Sequence, residues 1–193
     1  MFVKFAQFLY VMLYALVVGV LWGTWLSLGR TMTRYDAATF LADGKHMIEN
    51  LAGVMPILMI STGVIGLVVV VALFARRSTA AAWLALLGLA LLGAVIAVTL
   101  AVEVPIDNQI KTWTASTLPS DWTQIRARWA DFHTLRTFLS LAAGLAAVVA
   151  AALSIRSSAR TARRSPGRST QRTAGGDGEH QADVVVAARH RSR

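Results

Sequence analysis

Two stretches concentrate the side chains able to do chemistry. VEVPIDNQIKTW (residues 102–113) carries Glu103, Asp107 and Asn108, and DWTQIRARWADFHTLRT (residues 121–137) carries Trp122, Trp129, His133 and Arg136. In the second stretch Trp122, Ile125, Trp129, Phe132 or His133, and Arg136 recur every three or four residues, the spacing of one helix face. An arginine entering hydrocarbon is costly and usually finds a partner or faces a bundle interior. Glu103 and Asp107 are the candidate partners. A third stretch, DGKHMIENLAGVMP, puts His46, Glu49 or Asn50, and Gly53 on one helical face. If these segments converge, His46, Glu49, Asn50, Glu103, Asn108, His133 and Arg136 form a small polar site, capped by Trp22 and Trp25. Two imidazoles and two carboxylates, from His46, Glu49, Glu103 and His133, would suit iron or zinc. His46 and His133 could alternatively serve as axial haem ligands. The competing reading is a solvated rim, with Trp113 and Trp122 as interfacial anchors and Arg136 snorkelling.

What must position these residues is a set of membrane helices. The chain has 193 residues, 55% of them hydrophobic, and a mean hydropathy of +0.55, with the apolar residues gathered into blocks. Four blocks, about 8–28, 54–74, 80–102 and 134–155, approach or exceed the roughly 20 residues needed to cross hydrocarbon as a helix. A membrane barrel would instead alternate in segments of about ten residues. Lipid satisfies no backbone group, so the expected fold is all-α, a four-helix transmembrane bundle over residues 1–155. The first block follows Lys4 but exceeds the apolar run of a signal peptide and lacks a small-x-small cleavage site, so it reads as a retained anchor. There is no cysteine, which excludes disulfide relays, thiolate iron-sulfur ligation, covalent c-type haem and cysteine nucleophiles.

Charge sets an expected orientation. Lys4, the Arg76-Arg77 pair and the arginine-rich tail fall on one side when four spans alternate, which predicts a multi-pass plasma-membrane protein with both termini cytoplasmic. From Arg156 onward nine arginines face three acids, so the tail carries six of the nine net positive charges. Its Ser, Gly and Arg content predicts disorder over 156–193. Contact with anionic lipid is one reading of that basic tail, and a plain topology signal is the other. Nucleic acid is not an expected partner, because no aromatic interleaving or folded module accompanies the arginines.

The connection between the third and fourth spans is too long for a structureless loop. Pro105 should stop or kink the third helix. Pro119-Ser120-Asp121, with Gln124 three residues after Asp121, resembles a capping box, and nothing interrupts the helix from there into the fourth span. A short extracytoplasmic helix should therefore continue into that span. Small residues inside the spans, Gly19 and Gly23, Ser61, Gly63 and Gly66, Gly88 and Gly93, and Ala143, Gly144 and Ala147, mark expected sites of close helix approach.

PIDNQIKTW, then DW, then RARW, then FHTLRT leading into a last apolar span, together resemble the bacterial membrane proteins that share a domain with the fungal anthrone oxygenases. The resemblance covers roughly residues 5–155, its specific part lies between Pro105 and Thr137, and the basic tail is outside the pattern. It implies a four-helix membrane domain and, for the fungal branch, oxidation of a polycyclic anthrone to an anthraquinone. Asn108, Trp129, His133 and Arg136 are the positions it carries over. An anthrone is a carbon acid whose enolate reacts with oxygen, so a base and an oxyanion stabiliser can suffice without metal or flavin. The expected catalytic set is His133 as base with Arg136 and Asn108 as stabilisers. Trp129, Trp122, Trp25 and Glu103 are expected to bind a hydrophobic aromatic substrate delivered by lipid. No cofactor is expected, metal or haem being the alternative. A non-catalytic scaffold, or a protein that binds a lipid or small hydrophobic molecule, fits the same sequence.

Overall fold

The computed structural model of the chain describes residues 2–163. Helix α1 runs Phe2–Thr24 and continues through a π-helical turn, Trp25–Gly29. A 3₁₀ turn, Met32–Arg34, leads to α2, Ala37–Ala75. The Asp36 carboxylate caps α2 by accepting the Thr39 amide at 2.8 Å, and that bond holds the Asp36 carboxyl below its ordinary pKa. Helix α3, Thr79–Val98, passes through a second π turn, Thr99–Glu103, into α4, Val104–Thr112, and α5 runs Trp122–Arg163. Among the described residues there is no strand.

Among the described residues, four helical stretches are long and apolar enough to cross a membrane, and the protein is a multi-pass membrane protein. Large apolar side chains point outward along them, including Phe8, Ile57, Leu67, Val71 and Leu145, as a lipid-facing surface requires. The fourth span begins in the connection after α4, as expected: α5 opens with the Ile125 amide bonded to the Asp121 carbonyl and runs unbroken into the apolar block. Of the stretch 156–193 expected to be disordered, residues 156–163 are the helical end of α5, and the rest lies outside the described residues.

Pro105 neither stops nor isolates the third helix. The π turn before it already shifts the hydrogen-bond pattern, so Pro105 falls in the first turn of α4, where a missing N–H leaves no bond unmade. The turn between α2 and α3 has its own exception. Arg77 N–H bonds the Phe74 carbonyl at 2.9 Å and Ser78 N–H bonds the Leu73 carbonyl at 3.0 Å, the pairing of a Schellman cap. The left-handed residue of that cap is Arg77, with φ of 56°, where glycine is the usual occupant.

The end of the bundle holding the start of α1 is packed through small residues. Tyr10 and Tyr14 are buried edge to face, centroids 4.9 Å apart, and their hydroxyls donate to the Ala85 and Gly88 carbonyls of α3 at 3.3 and 2.7 Å. A Cβ on Gly66 would lie 2.6 Å from the Tyr10 ring, and one on Gly88 would lie 3.1 Å from the Ala143 carbonyl of α5. Ala143, Ala147 and Ala150 complete this core with α2 and α3. Gly19, Gly23 and Gly93, by contrast, would meet nothing within 4 Å. Helix α1 buries the face of Tyr10, Tyr14, Val17 and Leu21, which leaves Gly19 and Gly23 exposed.

Candidate functional site

At the opposite end a charged cluster is sealed into the bundle. Arg136 of α5 is its hub. Nη2 lies 2.9 Å from Oε2 of Glu103, an ion pair whose angle falls outside that of a hydrogen bond, while Oε1 has no hydrogen-bond partner. Nη1 donates to Thr99 Oγ1 at 3.3 Å, and Thr99 in turn donates to the Val95 carbonyl. Thr99 and Glu103, the two ends of the second π turn, therefore both meet Arg136. Glu103 is 0% exposed and Arg136 is 9% exposed, so each depends on the other to remain charged there.

Arg136 also donates to His133 Nδ1, from Nη2 at 2.9 Å and Nε at 3.2 Å. A guanidinium has no acceptor, so Nδ1 is the unprotonated nitrogen and the neutral ring carries its proton on Nε2. Nε2 is buried; the Leu21 carbonyl lies near the ring without completing a well-formed bond to it. Thr137 Oγ1 donates to the His133 carbonyl at 2.7 Å. The other face of the imidazole stacks on Trp129, 4.8 Å between centroids and 5° from parallel. Trp129 Nε1 donates to Asp107 Oδ1 at 3.0 Å. One chain of contacts thus runs from Glu103 and Thr99 through Arg136, His133 and Trp129 to Asp107.

Beside this chain lies a cavity of about 450 Å³. Its wall is mostly apolar and comes chiefly from α2, through residues such as Met55 and Met59, with Ile96 of α3 and Leu100 of the second π turn. Its polar groups are Thr24, Thr99, Asp107, Asn108, Lys111, His133 and Arg136, with the Trp129 ring alongside. Pro56 has no N–H to offer the Ala52 carbonyl, and both residues line the cavity. Ile60 and Leu100 line it too while being largely exposed on the lipid-facing surface, so one side of the cavity abuts that surface.

The structure divides the residues singled out in the sequence. Asn108, Trp129, His133 and Arg136 line the cavity, and Glu103 lies behind Arg136. Trp122 does not line it; its ring packs on Phe40, 5.6 Å away, under the Arg126 guanidinium. Arg126 donates to the Tyr35 and Thr33 carbonyls at 2.7 and 2.8 Å, clamping the 3₁₀ turn to α5. Trp25 does not line it either. Its Nε1 donates to Thr134 Oγ1 at 3.0 Å and its ring packs on Trp22 and Phe138. His46 and Glu49 are exposed and 3.9 Å apart. His46 borders a separate shallow depression with Asp43 and Asn50. Among the described residues, no three His, Cys, Asp or Glu side chains come together as a metal site, so His46, Glu49, Glu103 and His133 are not one ligand set. Lys111 and Thr99 were not singled out beforehand. Lys111 lies four residues after Asp107, one helical turn along the same face. Thr99 carried no signal, because its role depends on which helix faces Arg136.

Four membrane-spanning helices with a buried Arg-Glu pair behind a largely apolar cavity define a membrane protein with a cavity at one end of its bundle. The anthrone oxygenase family matches residues 45–146, more than half of the chain, and the chain belongs to that family. The matched stretch holds every cavity-lining residue except Leu21 and Thr24. Comparison with curated proteins and with solved structures gives no match.

Proposed function

We propose that the protein binds a flat, hydrophobic aromatic carbon acid in this cavity and oxidises it with dioxygen, as the family description implies. The observation that carries the reading is the composition of the cavity: a largely apolar wall, chiefly from α2, with Arg136, Asn108 and Lys111 among its polar groups. About 450 Å³ lies within the range of small-molecule sites. Cations and an amide donor beside a ligand carbonyl stabilise the oxyanion formed when a carbon conjugated with that carbonyl loses a proton. The fixed Arg136 geometry supports such a role, because Glu103, Thr99 and His133 hold the guanidinium before any ligand arrives. The contact of the cavity with the lipid-facing surface through Ile60 and Leu100 suits a substrate that partitions into the bilayer.

In the same reading the site lies on the extracytoplasmic side and both termini are cytoplasmic. Lys4 and the Arg76-Arg77 turn supply the positive charge at the opposite end. The test uses detergent-purified protein and anthrone, following oxygen uptake and quinone absorbance. The wild type should exceed the uncatalysed rate, and Arg136→Ala should lose about 10²-fold or more, the scale of losing one oxyanion donor. A wild-type rate no greater than the uncatalysed one, or unchanged turnover in Arg136→Ala, would sink the reading. Saturable binding of a lipid with no oxygen uptake from anthrone would favour a binding protein.

A further inference from the structure

Resting on that oxidation, the cavity needs a group that takes the first proton from carbon, and His133 is poorly placed to be it. Arg136 occupies its Nδ1 lone pair from two nitrogens, and its Nε2 carries the proton and is buried. Glu103 is also committed: it is fully buried, paired with Arg136, and absent from the cavity wall. From the geometry we propose that Asp107 is the proton acceptor and that His133 positions Arg136 and Trp129.

Asp107 is the carboxylate that lines the cavity. Trp129 Nε1 fixes Oδ1 at 3.0 Å, and among the described residues no hydrogen bond reaches Oδ2, which leaves that oxygen free to meet a ligand. The stack of Trp129 on His133 holds the indole that in turn holds the carboxylate. Asp107 belongs to α4 and Arg136 to α5, so base and cation reach the cavity from different helices. An anthrone, whose acidic methylene and carbonyl sit at opposite ends of the central ring, would meet Asp107 with the first and Arg136 with the second.

The steps balance with dioxygen as the only co-reactant. The Asp107 carboxylate removes one methylene proton, and the electron pair of the broken C–H bond moves to the carbonyl oxygen, near Arg136. The carbanion carbon of this enolate gives two electrons to dioxygen and forms a C–O bond, leaving a peroxide anion that takes the proton back from Asp107. Asp107 then removes the remaining C–H proton. A C=O bond forms as the O–O bond breaks, and hydroxide leaves and recovers that proton as water. The net change converts one methylene and one dioxygen to one ketone and one water, with the carboxylate regenerated.

The decisive variant is Asp107→Asn, which keeps an amide oxygen for Trp129 to bond but cannot accept a proton. Binding is read by quenching of Trp129 fluorescence with anthraquinone, in a background where the other tryptophans are Phe. Turnover is read with anthrone carrying hydrogen or deuterium at the methylene. Asp107→Asn should bind anthraquinone within about threefold of the wild type and lose about 10²-fold or more in turnover, the usual share of a general base. Asp107→Glu should recover part of that loss and retain a deuterium isotope effect. Turnover of Asp107→Asn within threefold of the wild type would overturn the assignment and leave the oxidation reading standing. Wild-type protein that neither binds anthraquinone nor consumes oxygen with anthrone would overturn both.

Discussion

The two ends of this bundle use the same four helices to opposite purposes. At the end holding Tyr10 and Tyr14, glycine and alanine let backbones come close enough for tyrosine hydroxyls to reach carbonyls on α3, and little space remains. At the other end Met55, Met59 and Leu100 stand around a cavity, and the polar groups beside it bond one another more than the backbone. In lipid there is little hydrophobic drive between helices, so packing must supply the stability. The tightly packed end provides that packing, which allows the other end to hold an ion pair and an open volume that would weaken the bundle if repeated along its length.

That contrast can be broken at either end. The largest effect should come from Glu103→Ala, which strands Arg136 without its counter-charge and should cost about 3–5 kcal/mol in detergent unfolding. The double variant Glu103→Leu with Arg136→Met should recover much of that stability while abolishing ligand chemistry; equal losses in the two proteins would mean that the pair is not what makes this end costly. Next comes Gly66→Ala, whose new Cβ would lie 2.6 Å from the Tyr10 ring and should cost about 1–3 kcal/mol. Gly19→Ala, with nothing within 4 Å, should be neutral or slightly stabilising, and equal losses at the two glycines would place the tight contact elsewhere. The smallest effect belongs to Asp36, at the start of α2. Its carboxyl pKa is lowered in the folded protein, so its contribution is present above the ordinary carboxylate range and fades as pH falls through the lowered value. Asp36→Asn keeps an acceptor for Thr39 but does not titrate, so its melting temperature should fall slightly less than that of the wild type between neutral and acidic pH.

The spans were legible because apolar blocks of that length have few alternatives, and the continuous start of α5 was legible from Asp121, Gln124 and an uninterrupted periodicity. The meeting of Glu103 with Arg136 was also within reach, since a buried arginine demands a partner. Other features depended on helix rotation, which periodicity does not fix. Gly19 and Gly23 have the spacing of a contact face, yet α1 turns its tyrosines inward instead. Trp122 shares a helical face with Trp129, but one side chain is taken by Phe40 and Arg126 while the other reaches the cavity. The ligand pairing of His46 with His133 required two helix faces to meet that point to different places. Residues of α2 that wall the cavity, such as Met55 and Met59, look in the sequence like any lipid-facing positions. Asp107 was visible only as a possible partner for Arg136, because its bond to Trp129 joins residues 22 apart on separate helices.

The two π turns make this site unusually sensitive to chain length. A π turn holds more residues than the α-helical turn it replaces, and it commonly arises where a single residue has been inserted into a helix. Thr99 and Glu103 bound one such turn, and Trp25 and Gly29 bound the other, with Gly29 set close to the His133 ring. Deleting one residue from the 99–103 segment would restore a regular helix and rotate everything after it by about 100° relative to α3. Glu103 and Asp107 would swing away from α5 without a single side chain having been altered. For this protein an insertion or deletion of one residue is thus a change of chemistry, whereas many substitutions on the same helix change only its fit to lipid.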